Sequence, residues 1–439
     1  MDNQQNNGRL IALLPMGVFL VIFLGAGILT GDFYSMPTIL AFLIALFVAF
    51  LQNRGLDFNK KISVIAKGIS DDNIITMCLI FLCAGGFSGV VTATGGAEST
   101  VNLGLTFLPT QIIVVGLFII GCFVSISMGT SMGTIAALAP IAVQVSKKTG
   151  FEIAVCIAAV VCGAMFGDNL SMISDTTIAA VKTQGAQMKD KFRQNFLIVL
   201  PAAIVTAIIF FLLTRSGAPN MNLDLKFNFW LVLPYILVLV GALIGINVFL
   251  VLIGGTVASI LAGVLTGSLS FWKCVAAVGT GINGMYDITV ISIIVACIVA
   301  LIKEYGGIDF IINIFKKHIK GNKGAQLGIG FLTLIVDACT ANNTVAIIIT
   351  GPLAKNISNE FGVTAKKSAS LLDIFASVGQ GLIPYGAQLL SAAALATSLS
   401  KVKITPYQII PNMYYPVLMA ISAVLFIVFT KKKKNEMKS

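Results

Sequence analysis

Runs of about 20 apolar residues follow one another along most of the chain, the length an α-helix needs to cross roughly 30 Å of hydrocarbon. Uninterrupted runs fall near 10–30, 35–52, 73–93, 195–214, 228–245, 246–266, 286–303 and 409–430. Charged residues are only 11% of the 439 residues and hydrophobic ones 57%, against roughly 25% charged in soluble domains. So little charge could not keep a soluble fold of this size dissolved. The expected class is an all-α polytopic membrane protein, with the lipid bilayer as its first partner and the cell membrane as its location.

The net charge of +11 does not point to nucleic acid, because the basic residues gather in short segments between apolar runs and in Lys431–Lys434. Lys and Arg collect in cytoplasmic loops in this way. A basic tail over 431–439 touching anionic headgroups is the ordinary reading. The eight cysteines lie almost wholly in apolar stretches without C-x-x-C spacing, and read as small buried hydrophobes. The single His318 sits in a Lys-rich loop, away from any apolar run. The first run, Leu10–Thr30, is too long for a signal-peptide core and is expected to stay as a helix.

Two apolar regions, 111–185 and 326–400, are interrupted by Gly, Ser, Thr, Asn and Asp. In lipid such breaks survive only where freed backbone groups face protein or a watery cavity. A shift of about 212 residues lays one region on the other, placing Pro140 on Pro352, Gly167 on Gly379 and Leu170 on Leu382. With small changes of offset, Gly95-Gly96 falls on Gly306-Gly307 and Phe58 on Phe271. Ordered matches at one spacing indicate an internal duplication, the mark of secondary transporters. The expected repeats are 1–215 and 228–430, each with a re-entrant hairpin (about 111–146 and 326–358) followed by a broken transmembrane helix (about 152–185 and 366–400). If the hairpins dip in and return, the basic segments around Lys60, Lys189 and Lys320 share the cytoplasmic side with both termini. The hairpins then enter from opposite faces, which makes the repeat an inverted one.

The hairpin tips carry polar chemistry. The first, 127–134, holds Thr130, Ser131, Gly133 and Thr134: glycine for close backbone approach, hydroxyls and freed carbonyls as oxygen ligands. The second, 337–344, holds Asp337, Thr340, Asn342, Asn343 and Thr344. A helix N-terminus in either gap adds partial positive charge. A Gly/Ser-rich helix contact would explain the glycines but not two adjacent asparagines at membrane depth. The densest stretch follows the apolar run 153–166: Asp168, Asn169, Ser171, Ser174, Asp175, Thr176 and Thr177. An intramembrane carboxylate costs about 3 kcal/mol on insertion scales and marks a functional site by default. A carboxylate taken out of water holds a proton readily, so a proton and Na⁺ compete for it, which is the physical basis of exchange. Asp168 and Asp175 are the candidate Na⁺ ligands.

The pattern G-D-x-x-S-x-x-S-D-T-T from Gly167 to Thr177, with the tip 129–134, resembles the signature of the NhaC-type Na⁺/H⁺ antiporters of the ion-transporter superfamily. Met172 stands where that family usually has proline. The resemblance implies a secondary transporter, and the broad group includes carriers of amino acids and organic acids as well as cation antiporters. In the second half Gln380 falls opposite Asp168 and Gln388 near the counterpart of Asp175, with Asp373 as a further membrane-depth acid. Na⁺/H⁺ exchange is the leading expectation; Na⁺- or H⁺-coupled transport of an amino acid or small carboxylate is the alternative. No nucleophile–base pair or phosphate-binding loop suggests an enzyme, no cofactor is called for beyond Na⁺ and H⁺ as coupling ions, and the class admits a homodimer. The charge count makes a testable statement. A cysteine at Lys189→Cys or Lys320→Cys should react with impermeant reagent from the cytoplasmic side only; labelling from outside would sink the hairpin arrangement.

Overall fold

A computed structural model of the chain describes residues 9–30, 36–107, 109–172, 174–216, 225–244 and 246–430. The tail Lys431–Lys434 and residues 1–8, on which the expected positions of the termini rest, lie outside the described residues. Regular structure among the described residues is wholly helical, in 21 α-helices and two short 3₁₀ turns. Seven helical stretches are long and apolar enough to cross a membrane, or eight if a bent pair counts as one span. That bent pair is the last expected span: Pro406–Asn412 and Tyr414–Phe429 meet at 50°. Met413 between them leaves the helical region at φ −82, ψ 66.

The molecule is apolar on its outside as well as its inside. Leu197, Ile204, Ile208 and Phe211 lie exposed on one face of Met188–Thr214, and Leu250, Val257 and Leu261 on one face of Val248–Leu265. In water such stripes would be a liability; against lipid tails they cost nothing. Polar residues are gathered inward instead. Two helices, Ile153–Leu170 and Ala365–Leu382, are buried over most of their length and form the centre of the bundle.

The helix boundaries recur at the 212-residue shift. Ser131–Thr149 corresponds to Asn343–Phe361, and Ile153–Leu170 to Ala365–Leu382. Each member of the first pair follows a partner, Thr110–Met128 or Gly321–Thr340, across a two-residue break. At both breaks the chain turns through a left-handed residue, Gly129 at φ 68 and Ala341 at φ 50. Glycine takes that conformation freely, whereas an alanine there is strained and held by its surroundings. Each buried helix then stops and restarts, as Asp175–Gln184 and Ala387–Ser400. Ser171 and Ser174 are extended at the first interruption. At the second, Ile383 is extended ahead of Pro384, as the residue before a proline tends to be.

Close helix contact relies on missing side chains. Gly85 and Gly89, on one face of Asp72–Ala93, press against Gly281 of Phe271–Asn283, and a Cβ on Gly281 would fall on the Gly85 carbonyl. Small residues four apart let helix backbones approach in this way without a water-driven force. Gly254, by contrast, has nothing within 4 Å of where its Cβ would stand. Gly281→Leu should therefore destabilise the protein by about 1–3 kcal/mol through overpacking, while Gly254→Leu should be near neutral. Thermal unfolding in detergent checks the pair, and equal effects would show that this contact is not what holds the two helices.

Candidate functional site

Four helix beginnings meet around a cavity of about 90 Å³. Its walls include Thr130 and Ser131, Asp175, Asn342 and Asn343, and Ala387 with Gln388, each at or beside the start of its helix. Helix starts leave N–H groups without intrahelical partners and carry partial positive charge. Two are capped locally. Thr130 Oγ1 accepts from the Gly133 N–H at 3.4 Å, and Asn342 Oδ1 accepts from the Val345 N–H at 3.0 Å. Asn343 Oδ1 accepts from the Thr344 N–H, and Thr134 Oγ1 donates to the Thr130 carbonyl, both at 3.0 Å. The tips are thereby rigid frames.

Asp168 reaches the cavity from the end of Ile153–Leu170 and is 5% exposed. Ser131 Oγ donates to its Oδ2 at 2.9 Å, and Ser174 Oγ to its Oδ1 at 2.7 Å. Ser174 also meets the Thr176 hydroxyl at 2.8 Å. Asp175 accepts from the Thr344 hydroxyl at 2.6 Å and from the Thr176 N–H at 3.0 Å. The second half reaches back, Gln388 Nε2 donating to Ser131 Oγ at 3.2 Å. The two acids thus hang on hydroxyls from both halves, and no basic side chain lines the cavity among the described residues.

Gln380 is the fourth wall. Oriented to satisfy Asp337 and the start of Ala387–Ser400, its amide donates to Asp337 Oδ1 at 3.2 Å and accepts from the Ala387 N–H at 2.8 Å. Asp337 itself lies behind the cavity wall, fully buried, with Oδ2 lacking a hydrogen-bond partner among the described residues. Thr340 stays within its own turn, donating to the Asn342 carbonyl at 3.2 Å.

The remaining expected residues belong to a second cluster, away from the cavity walls. Asp373 is ion-paired with Lys191 at 2.7 Å, and the two side chains are 0% and 1% exposed. Lys191 also donates to Thr177 Oγ1 at 2.7 Å and to the Asn169 carbonyl at 3.0 Å. Asn195 donates to Asp373 Oδ2 at 2.8 Å and accepts from Ser370. The Asn169 side chain donates to Ser377 at 2.8 Å and accepts from the Tyr415 hydroxyl at 3.1 Å. Ser171 is buried at the same interruption. Counted by charge, Lys191 belongs to a basic cytoplasmic segment; in the structure Lys182, Lys189 and Arg193 are exposed and Lys191 is not. The available signal was its spacing, since Lys191 and Asn195 lie four apart and so share a helix face. Asp373 is accordingly a partnered scaffold charge.

Two larger cavities meet at Tyr385, and the first of them borders the small one. One of about 420 Å³ shares Met77, Asn342 and Ala387 with it and ends at exposed Lys67 and Lys303. The other, of about 450 Å³, ends at exposed Asp287 and Lys403. They open toward opposite ends of Tyr286–Glu304 and are walled from each other by Ile291, Tyr385 and Leu390. Tyr385, which the sequence reading passed over, is pinned by its hydroxyl to the Ala338 carbonyl at 2.7 Å.

Comparison with known proteins places this geometry. A family model described as the Na⁺/H⁺ antiporter family matches residues 9–215 and 218–431. The chain is 23% identical over 407 residues to a malate-2H⁺/Na⁺-lactate antiporter of Bacillus subtilis, covering 85% of this chain and 86% of the relative. It is 24% identical over 441 residues to the Na⁺/H⁺ antiporter NhaC of the same organism, covering 91% and 94%. Among solved structures, the Alcanivorax borkumensis YdaH transporter aligns over 95% of this chain and 98% of its own, with 12% identity and a TM-score of 0.43.

The buried pair yields its own expectation. Removing one partner of a buried ion pair strands the other, at about 3–5 kcal/mol, whereas replacing both with apolar groups is often neutral. Lys191→Met should lower unfolding stability by that amount and Lys191→Met with Asp373→Leu should recover much of it. Additive losses in this double-variant cycle would argue against a direct pair.

Proposed function

Since the chain belongs to the Na⁺/H⁺ antiporter family, whose members are secondary transporters and not enzymes, we propose that it exchanges Na⁺ for H⁺ at Asp168 and Asp175. The observation that carries this reading is the lining of the small cavity: two carboxylates, hydroxyls and amides, and no basic side chain. Such a set attracts a cation and offers it hard oxygen atoms. A hydroxyl can turn. Ser131, Ser174 and Thr344 donate to the acids; with Na⁺ bound they would present lone pairs to the metal. A proton on the same acids removes the charge that holds Na⁺, so the two cargoes exclude each other.

Alternating access supplies the rest. The two larger cavities lead from opposite ends of Tyr286–Glu304, a helix of about 28 Å at 1.5 Å per residue, and stop at Tyr385 and its two apolar neighbours. Two inverted repeats, 1–215 and 228–430, each with a re-entrant hairpin and a broken helix, rock about this barrier. The helix boundaries recurring at 212 residues and the family match in two consecutive segments support that reading. The side bearing Lys67 and Lys303 would then be cytoplasmic.

A second reading has its own support. The malate/lactate relative matches nearly end to end, and the cavity of about 420 Å³ beside the ion site has room and exposed lysines for a small organic carboxylate. On that reading the ion site is unchanged and the carboxylate rides beside it. Proteoliposomes decide. An imposed Na⁺ gradient should move protons without organic solute, and Asp168→Asn should reduce that flux to background while the protein inserts normally. Ser131→Ala, which takes away a hydroxyl oxygen that the metal would use as a ligand, should weaken Na⁺ binding. Flux that begins only when malate or lactate is added would favour the second reading, and full exchange by Asp168→Asn would remove this acid from the site.

A further inference from the structure

The 212-residue shift that aligns the two halves also moves an acid. Asp168, on the first buried helix, corresponds to Gln380 on the second, and Asp337, on the second hairpin, corresponds to Ser125 on the first. In each half the hairpin side chain bonds its neighbouring buried helix. Ser125 Oγ donates to the Ala164 carbonyl at 2.5 Å, and Asp337 accepts from Gln380 at 3.2 Å. The second half therefore has an acid at the same helix contact, moved from one partner to the other.

Asp337 is 0% exposed and, among the described residues, forms no ion pair. Its Oδ2 has no hydrogen-bond partner among the described residues, and a Cβ on Gly379 would collide with this carboxylate, so the close approach is built into the neighbouring helix. The titratable groups facing it are Cys339 on its own helix and Tyr385 from the second interruption; Asp373, on the helix packed against it, is already paired with Lys191. A bare carboxylate so placed would be an uncompensated charge in an apolar bundle. Asp337 lines none of the three cavities described above, so this arrangement leaves no room there for Na⁺ with its ligands, whereas a proton needs none.

We propose that Asp337 is a second proton-binding site, distinct from the Na⁺ site and separated from it by the side chain of Gln380. Gln380 donates to Asp337 Oδ1 at 3.2 Å and lines the cavity that holds Asp168. The proton on Oδ2 enters from water in one of the two larger cavities and leaves to the other, both of which reach Tyr385, whose hydroxyl lies on the Ala338 carbonyl next to Asp337. The inference rests on the exchange reading, and it adds a proton to each cycle that Asp168 and Asp175 alone do not carry.

The test is the balance point of exchange in proteoliposomes: the pH gradient at which an imposed Na⁺ gradient drives no net flux. Asp337→Asn should keep its Na⁺ affinity and move the balance point to the value for one proton fewer per cycle. An unmoved balance point would overturn the proposal, and so would loss of Na⁺ binding, which would make Asp337 part of the Na⁺ site. Where the Asn variant fails to insert or transport, Asp337→Glu decides. It keeps an acid in altered surroundings and should displace the pH profile of exchange, and an unchanged profile overturns the proposal. Wild-type protein without any Na⁺-driven proton flux would instead sink the exchange reading itself.

Discussion

The site depends on the hydrogen bonds that Ser131 and Ser174 give to Asp168. An acid at this depth needs partners to replace water, and helices cannot provide them while their N–H and C=O groups are bonded internally. Breaking the helix after Leu170 frees Ser174 to turn back on Asp168, and breaking the facing pair at Gly129 brings Ser131 to its other oxygen. The interruptions thus exist to solvate an acid. Their own freed N–H groups then need partners, which is why the caps at Thr130 and Asn342 sit at the same place.

The acids near the helix interruptions divide by their partners; Asp168 and Asp373 are buried and Asp175 is exposed. Asp373 faces a lysine amine and two side-chain amides. That cluster is neutral in sum and ties Met188–Thr214 to both buried helices through Lys191, Asn195 and Asn169. Asp168 and Asp175 face hydroxyls, a backbone N–H and no cation. A hydroxyl stabilises a charge without cancelling it, which is why these two acids suit the exchange proposed above. The distinction also separates stability from transport: the paired charge is expensive to break, whereas the unpaired ones are poised to change partner.

Much of this was legible in the sequence, for specific reasons. A helix interruption in lipid has to be bought with polar residues, so Gly129–Thr134, Asp168–Thr177 and Asn342–Thr344 stood out, and the structure brings Ser131, Asp168, Asp175, Asn342, Asn343, Thr344, Gln380 and Gln388 to one cavity. Lys191 was misjudged because charge counting treats a segment as a unit, while burial is decided residue by residue by which face a helix turns inward. The partner of Asp373 was not legible for the same reason, since it comes from a position 182 residues away. Tyr385 carried no charge and no motif; only the two cavities meeting at its ring mark it.

The exchange of acid for amide between the halves has an electrostatic reason. Gln380 and Asp168 line the same cavity of about 90 Å³. Were the duplication retained unchanged, an acid at 380 would put a third carboxylate there beside Asp168 and Asp175. Like charges in so small a space cannot all ionise, and the site would hold a proton where it needs to hold Na⁺. An amide at 380 keeps the shape and hydrogen-bonding reach of the acid and removes the repulsion. Placing the second-half acid at 337 instead sets it behind that amide, where it reaches the cavity only through Gln380. An acid on the corresponding helix can stay only where a cation meets it, as Lys191 meets Asp373.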